Sequence, residues 1–192
     1  LAELASRDDA VVQTLTRVDS DVDCLAALFK KGLAEAAVLI CLLSPAPEQL
    51  VEMDLAEALV ATIRRGGGDE DPLKMCVSPK AASVILLSQI LVEDAAAAAD
   101  DDSSSTPPVP RSALLSERFI RSLAASLEAE PVEERLAAMR ILLRCIWEDG
   151  HCRRSIAEKA SLGAVLDAFH AVGDADKIDI VRFLYELLKL KK

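Results

Sequence analysis

The stretch AAMRILLRCI, Ala137–Ile146, repeats a pattern found twice upstream, as AAVLICLL from Ala36 and AASVILLSQIL from Ala81. A fourth, looser copy is IDIVRFLYELLKL from Ile178. The three clear copies open on small residues, where helices approach closely, and continue with bulky aliphatics. Three companion segments follow them: DLAEALVATIRRG from Asp54, SERFIRSLAASLEA from Ser116 and SLGAVLDAFHAVG from Ser161. Each companion has a polar start, a Leu/Val/Ile stripe and a short polar exit. Self-similarity at a fixed period is the signature of a repeat architecture. The first-type copies begin 45, 56 and 41 residues apart. Setting aside a linker of roughly 18 residues brings the middle spacing near the ~40-residue period of HEAT and armadillo units. The expected fold is all-α, an armadillo/HEAT-like right-handed helical solenoid of three to four repeats.

The helix faces point the same way. In the last helix Asp179, Arg182, Glu186 and Lys189 form one narrow polar stripe among apolar residues. Arg140, Arg144 and Glu148 form the equivalent stripe in the helix that follows Pro131. A helix with one thin wet stripe is expected to be buried on its other sides, as a central helix of a stack is.

Helix ends are written locally. Gly32 is expected to end a helix through Leu25, Leu28 and Phe29. Ser44-Pro-Ala-Pro47 stops the buried helix from about Leu33 to Leu43, and Asp54 is read as an N-cap for a helix ending at Gly66. Ser78 caps the next helix, with Pro79 at its first position, and this helix is expected to run to about Val92. Pro131 opens a long helix to about Glu148. A short basic helix covers Cys152 to Lys159, and Asp174 is read as the cap of the last helix. The stretch EDAAAAADDDSSSTPPVPRS, residues 93–112, has no periodicity and reads as a flexible acidic, Ser- and Pro-rich insertion. The chain is therefore expected to be a single repeat domain over 1–192 with that interruption. Ser103–Ser105 follow three acids, which suits either an acid-directed kinase or a plain solvated spacer.

Composition bounds the function. The net charge is -10, which repels phosphate backbones and argues against nucleic acid. Aromatics are 3% of residues, so the core must be aliphatic, and Ala and Leu favour helix. Asn is absent, which removes the Asn-Gly hairpin turn. The five cysteines, Cys24, Cys41, Cys76, Cys145 and Cys152, are odd in number and form no CxxC pair. They read as reduced thiols of an intracellular protein, cytoplasmic or nuclear. No signal peptide is apparent, and the longest apolar run, Ala36–Leu43, is too short for a bilayer, so no membrane association is expected. Because the sequence starts at Leu1 rather than Met, a longer parent is expected.

No constellation suits catalysis. His151, Cys152 and Cys145 lie close in sequence, but a structural zinc needs four ligands and the only other histidine is His170, so no metal or cofactor is expected. Cys152 stands beside Arg153 and Arg154, which favour a thiolate. Paired with His170 but without an orienting Asn, it reads as an exposed or half-buried loop thiol rather than a nucleophile. Gly66–Gly68 is followed by Asp-Glu-Asp, which would repel phosphate. The lone Trp147 is read as partly buried core rather than a partner anchor. Repeated Asn and Trp grips on a peptide backbone are unavailable to a chain without Asn. If the second helix of each pair lines a binding face, Arg64, Arg118, Arg121 and His170 are the partner contacts to expect, against the alternative of ordinary surface charge.

The phrases VEERLAAMRILLRC, EDGHCRRSIAEKA and IVRFLYELLKL, taken with PKAASVILLSQIL and DLAEALVATIRRG upstream, resemble the armadillo-like region of plant LIN/CERBERUS-type U-box ubiquitin ligases. The resemblance covers most of the chain and is closest after Ser112. It implies a piece of a modular ligase with a U-box, armadillo-like repeats and a WD-repeat propeller. Neither a U-box nor a propeller blade is visible here. The implied role is a scaffold for ligase substrates or partner subunits, with no chemistry in this chain. The alternative is a structural spacer or a homodimerisation segment.

Overall fold

The computed structural model describes residues 21–66, 77–97 and 110–189, with side chains omitted at 21 and 94–97. Among the described residues every regular element is a helix. They are α1 Asp21–Lys30, α2 Glu35–Leu43, α3 Pro47–Glu52, α4 Ala56–Arg65 and α5 Pro79–Ala97. After these come α6 Arg111–Leu114, α7 Glu117–Ser126, α8 Val132–Glu148, α9 Cys152–Lys159, α10 Leu162–Ala171 and α11 Asp174–Leu188. The chain divides into two compact units, Leu1–Pro108 and Val109–Lys192.

The repeated segments of the sequence are α2, α5, α8 and α11, and the companions are α4, α7 and α10. Each repeat also opens on a third, short helix: α9 forms over the Cys152–Lys159 stretch expected from the sequence, whereas α3 and α6 were not expected. The repeating unit is therefore a triplet: α3–α5, α6–α8 and α9–α11, with α1 and α2 preceding them. Armadillo-like architecture is built on such triplets. α3 and α6 escape periodicity because six and four residues hold too few turns to show it. In α3, Pro47 sits at the first helical position, and Gln49 Oε1 accepts from the Ala46 N–H at 3.2 Å. The Ser-Pro-Ala-Pro stop is thus also a start.

In the first unit α5 is central and packs against α2, α3 and α4, while α1 packs on α2. Ala36–Ile40 are buried without interruption, so α2 is enclosed all round. Along α5, Ala81–Val84, Leu86–Ser88, Ile90 and Leu91 are buried. The buried hydroxyls of Ser83 and Thr62 donate to the carbonyls four residues back, Pro79 at 2.7 Å and Ala58 at 2.9 Å, so no polar group is stranded there. In the second unit α8 is central and packs against α7, α9, α10 and α11. Its core face includes Leu136–Met139, Ile141–Leu143, Cys145 and Ile146. Third helices lie side by side in both units: α2 on α5, and α8 on α11.

Several ends form as expected. Ser78 Oγ accepts from the Ala81 N–H at 3.0 Å. Gly32 has φ +101°, and the Leu33 N–H reaches Leu28 O while the Gly32 N–H reaches Phe29 O. That is the Schellman arrangement, which needs a left-handed residue at the glycine. Other ends differ. Asp54 is not a side-chain cap; it takes φ +49° and its exposed carboxylate lies 3.9 Å from Lys30 Nζ. Gly173 occupies the cap position of α11, and Asp174 is its first residue. α5 continues past Val92 to Ala97, because alanine is the strongest helix former, so the first five residues of the 93–112 stretch are helical. Residues 98–109, with Ser103–Ser105, and residues 67–76, with Gly67, Gly68 and Cys76, lie outside the described residues.

Candidate interaction surface

Among the described residues, the second unit carries a cluster of ion pairs, and it is not where the polar stripes were expected to point. Arg140 of α8 donates through Nε to Asp179 Oδ2 at 2.7 Å and through Nη2 to Asp176 Oδ1 at 2.9 Å. Arg153 of α9 donates to Glu186 Oε2 at 3.1 Å. Arg144 reaches Glu148 Oε1 at 2.9 Å, and Arg111 of α6 reaches the other Glu148 oxygen at 2.7 Å. Glu186 itself is buried. Asp179 and Glu186 of the α11 stripe thus face the protein, where Arg140 and Arg153 tie α11 to α8 and α9, while Arg182 and Lys189 of the same stripe stay exposed. Charge removed from water needs a partner of opposite sign, and each of these carboxylates has one.

Turning the polar stripe of α11 inward leaves its opposite face apolar and exposed. Ile180, Phe183 and Leu187 are buried with Glu186, whereas Ile178, Val181, Tyr185 and Leu188 are each more than half exposed, Tyr185 at 61%. The expectation that α11 is buried on most sides is corrected: one face packs and the far face is bare. On α10, Leu162 and Leu166 are exposed too. Trp147 is 58% exposed rather than core. It follows Arg140 by seven residues on α8, so the two lie on one side of the helix, away from the buried Ile141 and Cys145. These residues were missed, although the three-four-three spacing of 178, 181, 185 and 188 is a readable helical seam.

The four contacts nominated from sequence are all exposed. Arg118 and Arg121 share α7, and Arg121 donates to Glu117 at 2.8 Å. His170 is on α10, edge-on to Phe169 with ring centroids 5.8 Å apart. Arg64 lies in the last turn of α4, in the other unit.

The thiols are poorly suited to nucleophilic work. Cys152 is not a loop thiol but the buried first residue of α9. Burial, then the nearby Asp149, pushes its pKa up, so Arg153 and Arg154 do not make it a thiolate. Burial raises Cys145 to about 12 and Cys41 to about 11. Cys145 Sγ donates to Leu114 O at 3.6 Å, tying α8 to α6. Among the described residues no group of three or more His, Cys, Asp or Glu is placed to hold a metal ion. Nor is any helix among them long and apolar enough to cross a membrane.

Helical triplets with an outward-facing apolar seam define the class: an armadillo-like repeat protein. Two family models match it. Residues 1–88 match "E3 ubiquitin-protein ligase LIN-like, ARM repeat", and residues 102–192 match "Putative E3 ubiquitin-protein ligase LIN, ARM-like domain". Among curated relatives, the chain is 38% identical over its whole length to "Putative E3 ubiquitin-protein ligase LIN" of Medicago truncatula. It is 36% identical over its whole length to "Putative E3 ubiquitin-protein ligase LIN-1" of Lotus japonicus. It spans 12% of the length of each. No solved structure matches. The chain belongs to the armadillo-like repeat region of the LIN-type E3 ubiquitin-protein ligase family.

Proposed function

We propose that this chain is the protein-binding module of a plant U-box ubiquitin ligase, holding substrates or partner subunits while ubiquitin transfer is performed elsewhere in the parent protein. The bare apolar face of α11 supports this reading most directly. A folded helix that turns its carboxylates inward and four large apolar side chains outward is built to be covered. The raised thiol pKa values fit a chain that carries no nucleophile of its own. Arg64, Arg118, Arg121 and His170 are secondary contacts in this proposal. The chain acts as one module, in the cytoplasm or nucleus, and nucleic acid and membranes are not its partners.

The test is ubiquitin transfer by the parent ligase with this segment replaced by an inert helical repeat of equal length. Self-modification should persist while modification of substrates is lost. Full retention of substrate modification would refute the binding role and leave the segment a spacer.

A further inference from the structure

The family assignment does not say which surface binds or what it takes. The geometry points to the corner between α7 and α8 as a docking site for a basic segment of a partner protein, with one Arg side chain seated on the Glu134 carboxylate. This rests on the module being a protein binder. The corner lies inside the array: in the sequence, the triplet α6–α8 is preceded by α3–α5 and followed by α9–α11.

The corner is rich in acid. Glu128, Glu130, Glu133 and Glu134 fall within seven residues. Glu128, Glu130 and Glu133 are exposed, and among the described residues none of the four has an ion-pair or hydrogen-bond partner for its carboxylate. The neighbouring Arg135 donates through Nε to the Ala129 carbonyl instead. Side chains on a helix lean toward its N-terminus, so those of Glu133 and Glu134 lean back over the turn that holds Glu128 and Glu130.

Glu134 sets this corner apart from ordinary surface acid. It keeps only 6% of its surface exposed, yet nothing described pairs with it. The usual role of an acid or amide at the third position of a helix is to accept the N–H of the cap residue. Gln49 does this in α3, where it accepts from the Ala46 N–H at 3.2 Å. In α8 the cap is Pro131, which has no N–H to give. The positive end of the helix favours an acid at this place. It gives the side chain no hydrogen bond, and a charged group taken out of water needs one. Sealed side-chain atoms without a hydrogen-bond partner occur, among the described residues, on Arg144, Glu148 and Arg153. The Glu134 oxygens are not sealed, so a cation can reach them from outside.

The spacing of the acids selects the occupant. Among the described residues no three acids are placed to hold one metal ion. Carboxylates that do not converge suit cations spread along a chain. Arg fits Glu134 best, because its guanidinium binds a carboxylate through two parallel hydrogen bonds. Further Lys or Arg residues of the same segment meet Glu128, Glu130 and Glu133. A protein of net charge -10 also steers such a segment toward its surface.

The test uses the 192-residue chain and a short dye-labelled peptide alternating Arg with Ser. Fluorescence anisotropy should show binding that weakens as salt is added. Glu134→Gln should weaken binding at least tenfold, because it leaves the arginine without its counter-charge, with the melting temperature by circular dichroism unchanged or raised. Glu130→Gln with Glu133→Gln, both at exposed positions, should weaken it at least threefold. Glu57→Gln on α4 and Glu158→Gln on α9 remove the same charge at exposed positions elsewhere and should leave binding within twofold. No binding, or binding indifferent to Glu134→Gln, would overturn the proposal. So would equal losses at all these positions, which would make the attraction the diffuse field of an acidic chain. A fall in melting temperature with Glu134→Gln would overturn it too, because the carboxylate would then serve the helix rather than a partner. The failure is separable from that of the module itself. If the parent ligase loses substrates when the whole segment is replaced yet keeps them with Glu134→Gln, the module stands and this corner is not its binding face.

Discussion

Gly32 shows how much a single position settles. Its φ of +101° is what lets α1 stop at Lys30 and α2 begin at Glu35, and no heavy atom stands where a Cβ would be placed. The cost of a side chain there is therefore backbone strain rather than collision. Gly32→Ala should lower unfolding stability in urea by roughly 1 kcal/mol, at the low end of the left-handed penalty for L-residues. The cysteines make a second prediction at this scale. Cys24 is exposed and Cys145 is buried. Mass spectrometry after brief treatment with iodoacetamide at pH 8 should find Cys24 modified and Cys145 untouched until denaturant is added. The sign of the pH effect follows from the same burial. Cys41 and Cys145 have folded pKa values of about 11 and about 12, above the ordinary 9.0. Their contribution to stability is complete below pH 9 and is lost as pH rises from 9 to 12, because only the unfolded thiols ionise readily in that window. Urea midpoints measured from pH 8 to 11 should fall accordingly.

At the scale of elements, the contact between α8 and α11 carries the most specific interactions. Arg140 joins two carboxylates of α11, but all three side chains are between a quarter and two-fifths exposed, so water screens them. A double-mutant cycle with Arg140→Ala and Asp179→Ala should give a coupling of about 1 kcal/mol, shrinking as salt is added. A coupling near zero would mean that α11 is held by its apolar face alone, through Ile180, Phe183 and Leu187. The short helices α3 and α6 were illegible in the sequence for a related reason. At six and four residues, neither has enough turns to show a face, and both owe their helical form to neighbours such as α5 and α7.

At the scale of the molecule, the boundary between the two compact units falls in the stretch that sequence patterning reads as an insertion, and the two family models also part there. The second unit has a central helix of its own, α8, enclosed by four others. Expressed alone, Val109–Lys192 should remain helical and unfold in one cooperative thermal transition by circular dichroism. A broad, non-cooperative loss of helix would show that it depends on the first unit.

Class and repeat were determined by the sequence itself. Small residues followed by bulky aliphatics in α2, α5 and α8, polar starts such as Ser78, and the stop at Gly32 all act within a few residues, so they are readable without knowing what lies across the fold. The direction in which α11 faces was decided only by tertiary structure. Its sequence offers two candidate inner faces, one carrying Asp179 and Glu186, the other Ile178, Val181, Tyr185 and Leu188. Hydrophobicity alone favours burying the second. Arg140 and Arg153, 39 and 33 residues away from their carboxylate partners, turn the first one inward instead. The exposure of Trp147 and the burial of Cys152 follow likewise from where α8 and α9 sit among their neighbours. Local pattern could not rank these outcomes, because each depends on a partner distant in the chain and brought near only by the stacking of repeats.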